Sequence, residues 1–332
     1  MRRALVTGAT GGLGIALVRT LLDAGYAVSA TGRQPLALDR LAAMGAEAVA
    51  ADLLETDLAV LCADRDVVFH VAGLSSPWGP DQAFDLANVE ATRRLLAAAQ
   101  AAGVGSFVFV SSPSVYARWR DQTGLTEATP WPDNPLNAYA RTKGEAEKIV
   151  LAADRAGFRT VAIRPRALIG PDDTVLLPRI LRLVRKGRFP LFRRGEALVE
   201  LTDVRDGARA LMLADQHREV AGGQAVNISG GRPLPIAVLV KRLGDRLGVP
   251  VKIVPLPLWL GQALSVVSDA VCRILPGRPE PILTPYTLST LAWSQAFDLT
   301  KARGLLGYEP QHDAVETALA IAPDMAPDVA SR

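Results

Sequence analysis

Short apolar runs alternate with longer amphipathic stretches through the first half of the chain. Runs of small, β-branched or aromatic residues bounded by turn signals predict buried strands. They fall at 3–7 (RALVT), 26–31 (YAVSAT), 47–50, 67–71 (VVFHV), 107–110 and 160–164 (TVAIR). Between them apolar positions recur with helical spacing: Ile15, Leu17, Val18, Leu21 and Leu22 after the first run, then residues 81–102, then 137–155. This alternation predicts an α/β fold with a doubly wound parallel sheet. Beyond residue 165 the pattern loosens. A helix is expected at 176–184, a strand at 198–202, a helix at 204–217 capped by Asp203 and Asp206, a strand at 225–228 and a helix at 236–247. Frequent Pro and Gly breaks point to a smaller mixed α/β lobe lying over the carboxyl edge of the sheet.

The most apolar stretch is 256–275 (LPLWLGQALSVVSDAVCRIL). Pro257, Gln262, Ser265, Ser268, Asp269 and Arg273 interrupt it, which argues against a transmembrane span. Three roles stay open for it: covering a pocket, lying on a membrane surface as a peripheral contact, or meeting another copy of the chain. Residues 323–332 (PDMAPDVASR) show no periodicity and are expected to form a loose tail.

Composition narrows the function classes. The chain has 332 residues, 49% of them hydrophobic, enough for a sizeable core. Its 37 basic and 34 acidic residues are interspersed and leave a net charge of +3, so no basic block suited to nucleic acid is present. Cys62 and Cys272 belong to no metal-binding or redox spacing, and His70, His217 and His312 are scattered, so no metal site is expected. His70 falls inside a strand and reads as a core histidine. The opening MRRALVTGATGG is broken by glycine too soon for a signal peptide, which makes a cytoplasmic protein the expectation.

Two stretches carry chemistry. The first strand runs into GATGGLG, with Gly8, Gly11 and Gly14 spaced three apart before a helix. Such a turn lets backbone N–H groups at a helix N-terminus approach a pyrophosphate closely, and Thr10, Gly12 and Leu13 belong to the same loop. At the end of the second strand a carboxylate would hold ribose hydroxyls, but the chain reads Thr31, Gly32, Arg33. A guanidinium there suits a 2′-phosphate, so NADP(H) is preferred and NAD(H) stays open. Asp52, with Leu53 beside it, is placed either to meet the adenine amino group or to cap a helix. Ala72 and Gly73 at the end of the fourth strand let a cofactor lie against the backbone. Asn88, on the helix at 81–102, is expected to tie neighbouring segments together.

The second stretch is 106–143. Its strand delivers Ser111 and Ser112, and the helix that follows carries Tyr139 and Lys143 one turn apart on one face. A cation beside a phenol favours the phenolate, and a phenol so tuned can exchange a proton with an alcohol or ketone. The loop 117–137 is expected to rim a substrate pocket. Ser75, Trp78, Ser114, Trp119 and Arg166 are candidate substrate contacts, the tryptophans for an apolar tail and Arg166, with Arg118 and Arg120, for a carboxylate.

With these motifs placed, the chain resembles the extended short-chain dehydrogenase/reductase family over nearly its whole length. TGATGGLG is similar to the family's cofactor motif, HVAG to its strand-four motif, NVEATRRLL to the helix after it, VSSPSVYA to the catalytic-serine segment and YARTK to the Tyr–Lys pair. Ser112, four residues before Tyr116, matches the family's serine. SSPSVY, RPRALIGPDD and FDLTKARGLLGYEP resemble the 3β-hydroxysteroid dehydrogenase branch, which includes bacterial reductases of 2-alkyl-3-oxoalkanoic acids (the OleD type).

The resemblance implies a Rossmann domain over 1–165, a mainly substrate-binding lobe over 166–322 with some segments returning to the sheet, and a nicotinamide bordered by Pro165 and the residues after it, Leu168 included. It implies reversible hydride transfer to a small hydrophobic ketone or from its alcohol. Tyr139 exchanges the proton, Lys143 also binds the nicotinamide ribose, and Ser112 bonds the substrate oxygen. A hydrophobic β-keto acid leads as substrate, with a 3β-hydroxysterol as the near alternative. The nucleotide-sugar epimerases and dehydratases usually carry an Asn just after the RP strand, where this chain has Arg166, Ala167 and Leu168. A non-catalytic dinucleotide-sensing regulator is the reading from another functional class. The helices at 81–102 and 137–155 are candidates for pairing in a homodimer.

Overall fold

The computed structural model describes residues 1–325. Strands and helices alternate first. They run β1 (Arg3–Thr7), α1 (Gly12–Asp23), β2 (Ala27–Gly32), α2 (Pro35–Ala43), β3 (Glu47–Ala50), α3 (Leu58–Cys62) and β4 (Val67–His70). Helices α4 (Asp81–Phe84) and α5 (Ala91–Ala101) then lead to β5 (Ser106–Val110), a short β6 (Gln122–Leu125), α6 (Ala138–Ala152) and β7 (Arg159–Pro165). Later elements are β8 (Leu168–Ile169), α7 (Leu177–Arg185), β9 (Arg188–Phe192), β10 (Leu198–Val199), β11 (Thr202–Asp203), α8 (Val204–Gln216), α9 (Arg218–Ala221) and β12 (Gln224–Ile228). The chain closes with β13 (Leu234–Pro235), α10 (Ile236–Arg246), β14 (Lys252–Leu256), α11 (Leu258–Ile274), α12 (Pro285–Ala292), β15 (Gln295–Phe297), α13 (Thr300–Leu306) and α14 (Ala314–Ile321).

Seven parallel strands form the central sheet in the order β3-β2-β1-β4-β5-β7-β12, the doubly wound Rossmann arrangement. The order reverses beside β1, so β1 and β4 open a crevice at their carboxyl ends. Apolar side chains pack on both faces. One layer joins Val6, Leu17, Val18, Leu21 and Val108 to Leu211 of α8, and the other joins Leu5, Val68, Leu95, Phe107 and Val150. Strand β12 and helix α8 come from beyond residue 165 and return to this sandwich. Asp215 of α8 is buried and accepts bonds from Arg2 and from the Tyr26 hydroxyl (3.0 Å), which locks α8 against the sheet edge.

Elements after β7 build a second core of Ile169, Leu181, Val184, Leu191, Leu239, Val240, Leu243 and Val315. A smaller cluster of Phe192, Leu288, Ala292 and Trp293 sits beside it. The parallel pair β6 and β15 stitches the loop after β5 to the end of the chain.

Two expectations need correction. The helix read over 81–102 is broken at its centre by a wider π turn, Asp85–Glu90. Asn88 lies in that turn and explains its use: the buried amide accepts from Leu74 N (2.7 Å) and donates to Leu74 O (3.2 Å) and Thr142 Oγ1 (3.1 Å). It pins the loop after β4 to α6. The single strand read at 198–202 is two, because β10 pairs with β13 while β11 pairs with β8. Residues 326–332 of the expected loose tail lie outside the described residues. Before them, Met325 N bonds Ile321 O and Arg185 donates to Met325 O (2.6 Å), so residues 323–325 hold a turn.

Candidate active site

The crevice opens into one cavity of about 2470 Å³ that runs from the glycine turn to the second-half elements. At one end, Gly8 has φ +66°, and a Cβ there would lie 2.5 Å from Ala72 N. The turn and the end of β4 therefore touch backbone to backbone, which only glycine permits. A Cβ on Gly14 would lie 2.3 Å from the Gly8 carbonyl oxygen, so α1 can start this close to β1 only without one. Gly12 begins α1 beneath the 170–175 loop, Leu13 packs by Gly207, and Thr10 fills the space over Gly32. The cradle is a helix N-terminus with its first N–H groups turned to an open space, which fits a pyrophosphate.

Arg33, at the end of β2, has a side chain 79% exposed and meets Asp52 at 3.3 Å. Asp52 Oδ1 also accepts from Leu54 N (2.9 Å), so it closes a turn, while the helix that follows is capped by Asp57 instead. Leu53, Ala72, Pro165 and Leu168 line the same cavity. Gly73 backs onto Asn88, and a Cβ there would stand 3.6 Å from Lys143 Nζ.

At the middle of the cavity, β5 ends in Ser111 and Ser112. Ser112 caps the short turn Pro113–Tyr116, its Oγ accepting from Ser114 N (3.1 Å). That leaves the Ser112 hydroxyl proton free to donate into the cavity. Helix α6 starts at Asn137, whose Oδ1 accepts from Ala140 N (2.9 Å), and carries Tyr139 and Lys143 on the cavity side. Lys143 is buried, donates to the Val110 carbonyl and lies 4.4 Å from the Phe109 ring centre. Burial pulls its pKa down to about 7, against a smaller upward pull from Glu147. Glu147 is itself held by Arg164 (2.8 Å). His70 is a satisfied core residue, bonded to Thr7 (2.8 Å) and Thr92 (2.9 Å). Burial, and then Lys143, push its pKa down to about 3, so it stays neutral beside the lysine.

The residues present thus fit a dinucleotide. A glycine cradle lies at one end of the cavity and a Ser, Tyr and Lys group lies along it. The sequence model described as the NAD dependent epimerase/dehydratase family matches residues 4–229. The chain belongs to that family.

Within it the chain is an extended short-chain dehydrogenase/reductase, and the enzyme is an NAD(P)-dependent oxidoreductase. The uncharacterized protein YbjS of Escherichia coli (strain K12) is 36% identical over 321 residues, 93% of each chain. A 2-alkyl-3-oxoalkanoate reductase of Stenotrophomonas maltophilia (strain K279a) is 34% identical over 314 residues, 92% of this chain and 94% of that one. Among solved structures, MoeE5 in complex with UDP-glucose and NAD superposes with a TM-score of 0.76 at 26% identity, covering 97% of this chain and 99% of that one.

For this extended reductase the remaining candidates divide. Ser75, Ser114 and Arg166 line the cavity. Trp78 and Trp119, expected as substrate contacts, do not line it. The Trp78 indole donates to Arg278 O (3.1 Å) and lies beneath Arg273. Trp119 donates to Pro285 O (3.1 Å) and stacks on Trp293. Both are spent on packing the second-half segments together. Two residues went unforeseen. Tyr286 of α12 meets Tyr139 edge to face at 6.4 Å, and burial, then Tyr139, raise its pKa to about 12. Glu200 lines the cavity with a carboxyl whose pKa burial raises. Their only sequence signal was position after β7, since neither falls in a motif. Among the described residues, no cluster of His, Cys, Asp and Glu is arranged to hold a metal ion.

Proposed function

We propose that this protein is an NADP(H)-dependent enzyme that interconverts a ketone and a secondary alcohol, with a hydrophobic β-keto acid of the 2-alkyl-3-oxoalkanoic class as substrate. The observation that carries the reading is the presence of Ser112, Tyr139 and Lys143 on the wall of the cavity that begins at the glycine cradle. A reduced nicotinamide bound there supplies the hydride. Ser112 donates its hydroxyl proton in a hydrogen bond to the substrate oxygen, stabilising charge as it develops. Tyr139 gives its phenolic proton to that oxygen, and in the reverse direction takes it back. Lys143 stands one helical turn from Tyr139 on the cavity side. One of its N–H groups is used by Val110, so others remain for ribose hydroxyls.

Leu260, Leu264, Leu283, Phe189 and Phe192 give the far end of the cavity an apolar wall suited to alkyl chains. The relative named 2-alkyl-3-oxoalkanoate reductase supports the same substrate class. Arg33 supports NADP(H): its exposed ion pair with Asp52 is weak, so the guanidinium can turn to a 2′-phosphate.

The test titrates wild-type and Arg33→Ala proteins with NADPH and NADH. Each is then given a 2-alkyl-3-oxoalkanoic acid, a 3-oxosteroid and a nucleotide sugar. Arg33→Ala is expected to weaken NADPH by about 10-fold or more, the loss of a charge-assisted bond, and NADH far less. The acid is expected to turn over fastest. Equal NADPH affinity in the two proteins defeats the cofactor preference, and turnover of the steroid alone defeats the substrate class.

A further inference from the structure

Arg166 is a buried cation without a counter-ion. It follows Pro165, one step past the carboxyl edge of the sheet, and is 8% exposed. Its backbone is clamped on both sides. The amide donates to Ile228 O (2.8 Å), and the carbonyl accepts from the Thr202 hydroxyl. The side chain is therefore held to one locale. Its Nε has no hydrogen-bond partner, and among the described residues no carboxylate forms an ion pair with it. Glu200 is the carboxylate whose charge it feels, together with Tyr286. Glu200 Oε1 accepts from Phe297 N (3.1 Å), and burial favours the neutral form of that carboxyl.

A guanidinium taken out of water with its donors unused is costly, and such groups are found where an anion completes them. Apart from Glu200, the surroundings supply more donors. Beside the main cavity is a small annex lined by Ser114, Arg118, Arg120, Gln122, Arg166 and Tyr286, and no Asp or Glu lines it. Ser114 Oγ and Gln122 Nε2 are buried there, also without partners. Arg166, Ser114 and Tyr286 face the main cavity as well, and Tyr286 contacts Tyr139. The residue that handles the ketone oxygen and the unpaired guanidinium thus share one cavity, with Tyr286 lining it beside both. A β-keto acid carries its ketone and its carboxylate on either side of one carbon, so both can be met within this one cavity.

We propose that Arg166, with Ser114 beside it, receives the carboxylate of the substrate and sets the preference for an acid over its neutral analogues. The proposal rests on the keto-acid reading of the cavity, and the experiment separates the two. Cofactor-saturated protein is titrated calorimetrically with a 2-alkyl-3-hydroxyalkanoic acid and with its methyl ester, for wild type, Arg166→Gln and Arg166→Lys. Turnover of both compounds is measured alongside. Wild type is expected to bind the acid more tightly than the ester. Arg166→Gln is expected to weaken the acid by about 10- to 100-fold, as removal of a charge-assisted hydrogen bond does, and to abolish the preference. Arg166→Lys, which keeps the charge but not the planar fork, should recover part of it.

Equal binding of acid and ester by wild type overturns the proposal, as does a loss in Arg166→Gln that is the same for both. If either occurs while the compounds are turned over, the carboxylate subsite falls and the reductase reading stands. If the acid binds in an Arg166-dependent way but is not turned over, the subsite stands and the reductase reading falls.

Discussion

The Lys143 ammonium is buried against Phe109 and the Val110 carbonyl, and burial lowers its pKa to about 7. The sign of the consequence follows from linkage. In the unfolded chain the lysine keeps its proton to about 10.4, whereas in the fold it gives it up near 7. Between those values the unfolded state binds more protons, so the lysine's contribution to stability rises with pH across that window. Below about 7 the cost of burying the charge is fully present. The denaturant midpoint of Lys143→Met relative to wild type should therefore be most favourable near neutral pH and should lose ground towards pH 10. A difference that is flat with pH contradicts a buried, depressed lysine. Tyr139 and Lys143 were legible in the sequence because a helix places residues four apart on one face. Tyr286 and Glu200 were not, because the side chains that complete the cavity come from segments with no periodicity tying them to it.

At the scale of elements, local physics carried the reading furthest where the chain is most repetitive. The strands at 3–7 and 160–164 and the helix beginning near residue 137 were visible as apolar runs, turn residues and helical spacing. What local sequence did not show was anything decided by a distant partner. The β6–β15 pair joins residues 122–125 to 295–297, and the π turn at 85–90 exists because Asn88 reaches Leu74 and Thr142. The partners of both tryptophans were hidden for the same reason: their indole N–H groups are taken by carbonyls at 278 and 285. The glycine turn is the element most sensitive to substitution. Gly14→Ala puts a methyl 2.3 Å from the Gly8 carbonyl oxygen, so β1 and α1 must move apart. Overpacking of this kind costs about 1–3 kcal/mol. A lower melting temperature and NADPH affinity reduced by about 10-fold or more, from displaced helix N–H groups, are expected in fluorescence titration. Wild-type affinity in Gly14→Ala would show that the turn does not hold the cofactor.

At the scale of the molecule, the sheet supplies one wall of the cavity and the elements after β7 supply the other. Helix α11 contributes Leu260, Gly261 and Leu264 to the cavity, and Val267, Val271 and Ile274 continue the Leu260–Leu264 face as exposed apolar residues. No helix of the described residues is long and apolar enough to cross a membrane. This arrangement gives a substrate with long alkyl groups an apolar wall in the same cavity as the Ser112, Tyr139 and Lys143 group. The most direct test runs the stable direction, since β-keto acids lose carbon dioxide on standing. Wild-type and Tyr139→Phe proteins are each given NADP⁺ and a 2-alkyl-3-hydroxyalkanoic acid, and the absorbance of the reduced nicotinamide is followed. The wild type should reduce the cofactor. The phenylalanine protein, with cofactor affinity retained, should be slower by about 100- to 10,000-fold, the loss expected for a general acid–base. Equal rates in the two proteins, or no reduction by a wild type that binds the cofactor, would contradict the account.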